Sequence, residues 1–191
     1  MTRTTLEHIA RAAGVTRGAI YWHFANKSEL FRAMRDQVTL PLVDRTDFAL
    51  LEPPDGDPLE AIERFMRQLA DMILNDRECR ETFEILNLKC EYVDELRHEL
   101  RSQGKRCSEL LATLTLRYEE AARSGTLRPG LTAEVAALES GAFLVGLFRL
   151  ALICGSKAHV GARANELIAA HMAGRRRAVP ARSPARARQH D

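Results

Sequence analysis

Strand-type alternation is scarce in this 191-residue chain, and aromatic residues make up only 6% of it. With 46% apolar residues available for a core, the expected class is all-α. Four cysteines (Cys79, Cys90, Cys107 and Cys154) form no C-x-x-C pair and have no close histidine partner. That scatter excludes a zinc site of ordinary spacing and suits free thiols in a reducing cytoplasm, the expected location. The six histidines show no ligand spacing, and neither G-x-G-x-x-G nor G-x-x-x-x-G-K occurs. No metal, cofactor or enzymatic activity is therefore expected. Glu91, Asp94, Glu95 and Glu99 are interleaved with Arg97 and Arg101, which reads as a solvated helix face with i,i+4 pairs rather than paired catalytic carboxylates. No signal peptide opens the chain, and the longest apolar run, Gly141 to Cys154, is short for a bilayer and contains Arg149, so no membrane partner is expected.

The formal net charge is only +2, but it is unevenly divided. Met1 to Gln37 carries 6 basic and 3 acidic residues, Val38 to Ala173 carries 16 and 22, and Gly174 to Asp191 carries 6 and 1. A basic head on an acidic body suits a protein that presents one end to DNA. The segment GRRRAVPARSPARARQHD lacks an apolar face and is expected to be a disordered basic tail over 174–191.

The head itself reads as two short helices hinged at Gly14. Thr4 and Glu7 form a Thr-x-x-Glu capping box, and Leu6, Ile9, Ala10 and Ala13 then fall on one face. Gly14 supplies the freedom needed at a helix end, Val15 fills the gap beneath the turn, and Thr16 caps a second helix running to about His23. Ile20 and Phe24 face inward, leaving Arg17, Gly18, Tyr21 and Trp22 outside. That is helix-turn-helix logic, in which the second helix enters the major groove. Gly18 permits close approach, Thr16 and Arg17 meet base edges and phosphates, and Tyr21, Trp22 and His23 offer hydrogen-bond donors. Asn26 and Glu29 cap a third helix that starts at Lys27, whose charge adds to an anion-seeking terminus. With Thr4 and Thr5 at the head's first turn, the DNA-facing set is Thr4, Thr5, Thr16, Arg17, Gly18, Tyr21, Trp22, His23 and Lys27.

GVTRGAIYWHFANKSELF resembles the helix-turn-helix signature of TetR-family transcriptional repressors. RGAIYWHF, together with EILNLKCEYVDEL at Glu84 to Leu96, is similar to the AcrR/TtgR-like branch that controls multidrug efflux pumps. The resemblance runs from Thr4 to roughly Met172 and is strongest at the start. In that family a further helix precedes the motif, so about thirty residues are expected to be lacking, by ordinary helix and loop lengths. Two readings follow: a shortened form of a longer protein, or a product whose DNA binding is compromised.

Beyond the head, one helix is expected from Lys27 to about Val43, one from Pro58 to about Leu74 after the cap at Asp57, and one from Glu78 to Tyr92. Further helices are expected over Asp94 to Ser124, from Thr132 to Cys154, and over Val160 to Met172. The domains are then 1–43, a DNA-binding head with its connecting helix; 44–173, a helical ligand-binding and dimerisation domain; and the tail. Ala133 to Ile153 is apolar on nearly every side and must be buried both within its domain and against something else. The resemblance implies a two-fold dimer through this helix, with Leu138, Gly141, Ala142, Val145 and Leu152 as contacts. It also implies a pocket for a small lipophilic effector lined by Ile62, Phe65, Met66, Leu69, Phe83, Asn87, Cys107, Leu110, Leu114, Leu144, Val145 and Phe148. The expected function is a dimeric repressor released from operator DNA by that effector. The alternative is a protein that no longer binds DNA and only dimerises, binds ligand or forms mixed dimers with a full-length relative.

Overall fold

The computed structural model describes residues 4–37, 56–89, 97–154 and 159–178. Helix α1 spans Leu6–Ala12 and α2 spans Arg17–His23. The α1 cap lies one residue later than expected. Thr5 accepts from the His8 amide at 3.3 Å, and His8 Nδ1 accepts from the Thr5 amide at 3.4 Å. Glu7 is thereby free for another contact. A left-handed residue ends α1: Gly14 has φ of 69°, with Gly14 N–H donating to Arg11 O (3.2 Å) and Val15 N–H to Ala10 O (3.0 Å). This is the Schellman pattern. The Val15 side chain does not fill the space beneath the turn but is 47% exposed. Leu6, Ala10 and Ile20 make the head's small core, with Ile9, Phe24 and Leu30 packed against it.

Helix α3 covers residues 27–37; Val43 and the 43/44 domain boundary lie outside the described residues. Helix α4, Pro58–Asn75, starts as expected: Asp57 accepts from the Leu59 amide at 3.0 Å and Pro58 occupies the first turn. Helix α5 is Arg77–Glu84 and passes into a π-turn over Ile85–Lys89. A regular helix from Glu78 to Tyr92 was the expectation. Within the wide turn, Asn87 Nδ2 donates to Phe83 O at 2.9 Å, a local bond that competes with regular helical pairing. Position 92 lies outside the described residues, as does 94, the expected start of the next helix. Helix α6 is Arg97–Arg123, ended by Gly125 at φ of 74°. Helix α7 is Ala133–Cys154, with Thr132 Oγ1 accepting from the Val135 amide. The expected Val160–Met172 helix is instead two, α8 His159–Ala162 and α9 Ala164–Ala173, broken at Arg163 (φ −108°, ψ 12°).

Helix α4 packs against α5, α6, α7 and α9, and α6 lies along α7. The core joins Leu59, Ile62, Phe65, Met66 and Ile73 of α4 to Leu114, Tyr118 and Ala121 of α6, Leu144, Leu147 and Phe148 of α7, and Ile168 and Met172 of α9. Gly141 lets α7 approach α6 closely, since a Cβ there would lie 2.8 Å from Leu111 Cδ2. At 22 residues α7 is long and apolar enough to cross a bilayer by length and composition, which the run counted from Gly141 understated. In this fold one face of it is core.

The beginning of the expected disordered tail is folded. Residues 174–178 dock on the body, with Arg128 N–H donating to Arg175 O (2.7 Å) and Arg177 N–H to Thr126 O (2.8 Å). Arg175 is buried, donating to His171 O at 2.7 Å and pairing with Glu139 at 2.9 Å. Arg176 pairs with both Asp57 and Glu63 of the α4 N-terminal end. Long-range acceptors hold these arginines where no apolar face was available to do so.

A buried polar chain crosses the bundle. Tyr118 Oη lies 2.7 Å from Ser140 Oγ, which lies 3.0 Å from His171 Nε2. Phe143 stacks on the imidazole with ring centroids 4.1 Å apart. Burial, reinforced by the Arg175 charge, lowers the His171 pKa from 6.5 to about 4. The folded state therefore keeps His171 neutral while the unfolded chain takes up a proton below about pH 6.5. The resulting contribution is fully present above pH 6.5 and is lost as pH falls towards 4. Denaturant titrations between pH 7 and 4 are expected to show a steeper loss for the wild type than for His171→Gln; parallel curves would contradict this.

Candidate nucleic-acid interface

The two helices of the head offer one polar, aromatic-rich face. Thr16 Oγ1 accepts from the Ala19 amide at 3.1 Å, fixing where α2 starts. Ile20 anchors the opposite side of α2 in the head core at 7% exposure. The 3.6-residue period then turns Arg17, Gly18, Tyr21 and Trp22 outward. Trp22 is 82% exposed and Tyr21 44%. His23 is exposed and meets Trp22 edge-on, with centroids 4.7 Å apart. Exposed aromatics of this size on so short a helix are not spent on packing within the head.

Arg17 is held from two sides. Its Nη1 lies 3.0 Å from Glu7 Oε1 on α1, and its Cζ stands 5.5 Å from the Tyr21 ring centroid. Gly18 beside it leaves open space, and an added Cβ would meet only Thr16 Oγ1, at 3.9 Å. Thr5 is exposed and committed to its cap, Thr4 is half-buried, and Lys27 is half-buried at the start of α3. Asn26 Oδ1 accepts from the Glu29 amide at 2.9 Å, while Glu29 Oε2 reaches the Ala25 amide at 2.7 Å. Of the nine residues read from sequence, Thr5, Thr16, Arg17, Gly18, Tyr21, Trp22 and His23 are exposed, and Thr4 and Lys27 are half-buried. Glu7, assigned by its spacing to the capping box, instead pairs with Arg17.

The expected effector lining divides in two. Ile62, Phe65, Met66, Leu69, Leu114, Leu144 and Phe148 belong to one buried cluster, with Phe83 and Leu110 packed against it. Asn87, Cys107 and Val145 do not join it. Asn87 is exposed and spends its amide on Phe83 O, Cys107 is an exposed thiol, and Val145 is 63% exposed on the outer side of α7. Helical rotation decides the last: Leu144 is the position turned inward, so its neighbour turns away.

That outer side of α7 carries Leu138 (58% exposed), Ala142, Val145 and Ile153 at helical spacing. Gly141 sits against Leu111, and Leu152, two turns beyond Val145 on the same side, is half-buried. Between head and body, Phe31 of α3 and Leu86 of the π-turn form a separate buried cluster with Met34 and Ile85.

The family model described as bacterial regulatory proteins, tetR family, matches residues 1–34. The transcriptional regulator TtgR of Pseudomonas putida is 38% identical over 152 residues, 78% of this chain and 70% of TtgR. The crystal structure of NalD, the secondary repressor of the MexAB-OprM multidrug efflux pump in Pseudomonas aeruginosa, aligns with a TM-score of 0.78. Its identity is 31%, over 92% of this chain and 87% of that one. SmeT, the repressor of a Stenotrophomonas maltophilia multidrug efflux pump, aligns in its triclosan complex with a TM-score of 0.74 and 26% identity. That alignment covers 96% of this chain and 90% of SmeT.

Two glycines of the head answer to opposite constraints. Gly14→Ala forces a Cβ into the left-handed region and is expected to cost about 1–2 kcal/mol. Gly18→Ala, in ordinary helical backbone with open space, is expected to gain about 0.5–1 kcal/mol. Chemical denaturation of the two variants checks both signs.

Proposed function

Because the chain belongs to the TetR family of bacterial regulatory proteins, we propose that it is a dimeric transcriptional repressor. In this reading it is released from operator DNA by a small lipophilic effector and controls a multidrug efflux system in the cytoplasm. Membership makes it a regulator rather than an enzyme. The observation that carries the DNA part is the outward row of Arg17, Tyr21, Trp22 and His23 on a helix with a glycine at its second position. Arginine supplies base recognition, the aromatic donors and Lys27 supply phosphate contacts, and Gly18 lets the backbone approach.

A single short helix reads too few bases to be selective. A two-fold dimer sets two of them about 34–36 Å apart, one duplex turn. The exposed Leu138, Ala142, Val145 and Ile153 stripe supports α7 as the self-complementary surface. The effector part rests on similarity to SmeT, solved in complex with triclosan, and on the Met- and Phe-containing core around α4, whose side chains repack readily. The Phe31–Leu86 cluster is the route by which a change in the body reaches α3 and so the DNA-facing helices. A coupling of about 1–3 kcal/mol there weakens operator binding about 5–150-fold.

In mobility-shift titrations against the DNA upstream of its own gene, Tyr21→Ala and Lys27→Ala are each expected to weaken binding to all duplexes. Lys27→Ala should also reduce the salt slope by about 1, whereas loss of the uncharged Tyr21 should leave the slope unchanged. A purified dimer that binds no duplex would overturn the repressor reading and leave a dimerising, ligand-binding protein. With triclosan as the probe, Leu86→Ala is expected to keep operator affinity but release the duplex less completely than the wild type does. Equal release by both would count against the Phe31–Leu86 route.

A further inference from the structure

We propose that Glu7 is the positioning residue for Arg17, and that the α1–α2 ion pair sets how sharply this protein distinguishes one DNA sequence from another. The inference rests on the DNA reading above. Glu7 has no capping duty, because His8 closes the box with Thr5. Its carboxylate instead reaches across the turn to Arg17 Nη1 at 3.0 Å, while the guanidinium carbon stands 5.5 Å from the Tyr21 ring. The two side chains are 73% and 44% exposed, so the pair adds little to stability. Its effect is geometric. An arginine free in solvent samples many rotamers and must be ordered when it meets a base. Here a carboxylate and an aromatic ring hold it beforehand, and of the five guanidinium donors only part is engaged by Glu7.

The same carboxylate weakens DNA binding in general. It puts a negative charge on the DNA-facing side of a basic head, which opposes phosphate contacts on every sequence alike. That penalty cancels in the ratio between two duplexes, so Glu7 lowers affinity overall but raises discrimination only by ordering Arg17 for the base it reads.

The test uses the full chain as wild type, Glu7→Gln, Arg17→Ala and the double variant. The probes are the tightest duplex that the wild type recovers from a randomised pool and a scrambled duplex of the same composition. Glu7→Gln is expected to bind the scrambled duplex more tightly and to lose up to about fivefold of the affinity ratio, on the scale of an exposed ion pair. In the Arg17→Ala background, Glu7→Gln should shift both duplexes equally and leave the ratio unchanged. Matching melting curves for all four proteins separate this from a loss of fold. A wild-type ratio in Glu7→Gln, or the same loss in the Arg17→Ala background, overturns the inference alone. A wild type that recovers no duplex overturns the DNA reading and the inference together.

Discussion

The apolar face of α4 is the constraint from which the body is built. Leu59, Ile62, Phe65, Met66 and Ile73 are each removed from water at 0–2% exposure, and α5, α6, α7 and α9 all pack on this helix. Each such side chain stabilises by about 1.5–3 kcal/mol relative to exposure. Because α5 follows α4 after a single capping residue, Asp76, the packing of α4 also fixes where the π-turn lies. Leu86 of that turn meets Phe31 of α3, so the position of the head depends on the same face. A molecule that altered the packing around Phe65 and Met66 would act on the element that supports α3.

The head has the opposite character. Its buried cluster is only Leu6, Ala10 and Ile20 with their neighbours, so local chemistry at the helix ends carries much of its definition. Thr5, Thr16 and Gly14 each satisfy terminal amides or carbonyls within a few residues of themselves. Such contacts place Arg17 and Tyr21 with little help from the body. They also separate two kinds of glycine: Gly14, obliged to be left-handed at the turn, and Gly18, in helical backbone with open space around it.

Polar groups bind the body together where apolar ones do not reach. The Tyr118–Ser140–His171 chain connects α6, α7 and α9 through hydrogen bonds made inside the bundle. Arg175 and Arg176 then tie the segment after α9 to Glu139, Asp57 and Glu63. For the buried Ser140 and Arg175 an isolated polar group would be costly, and a partner far along the chain removes part of that cost.

Spacing and capping along the chain determined the helical class, the hinge at Gly14, the starts of α2 and α4, and the exposure of Arg17, Tyr21 and Trp22 opposite a buried Ile20. Those features arise from contacts between residues a few positions apart, which is the range a linear reading sees. Only the tertiary structure decided that Glu7 pairs with Arg17 and that the π-turn carries Leu86 to Phe31. It likewise decided that Val145 turns outward while Leu144 turns in, and that the arginines after α9 are anchored. Each of these depends on which distant surface arrives opposite a side chain, and no pattern in residues 174–178 announces the carboxylates of α4 and α7 that hold them.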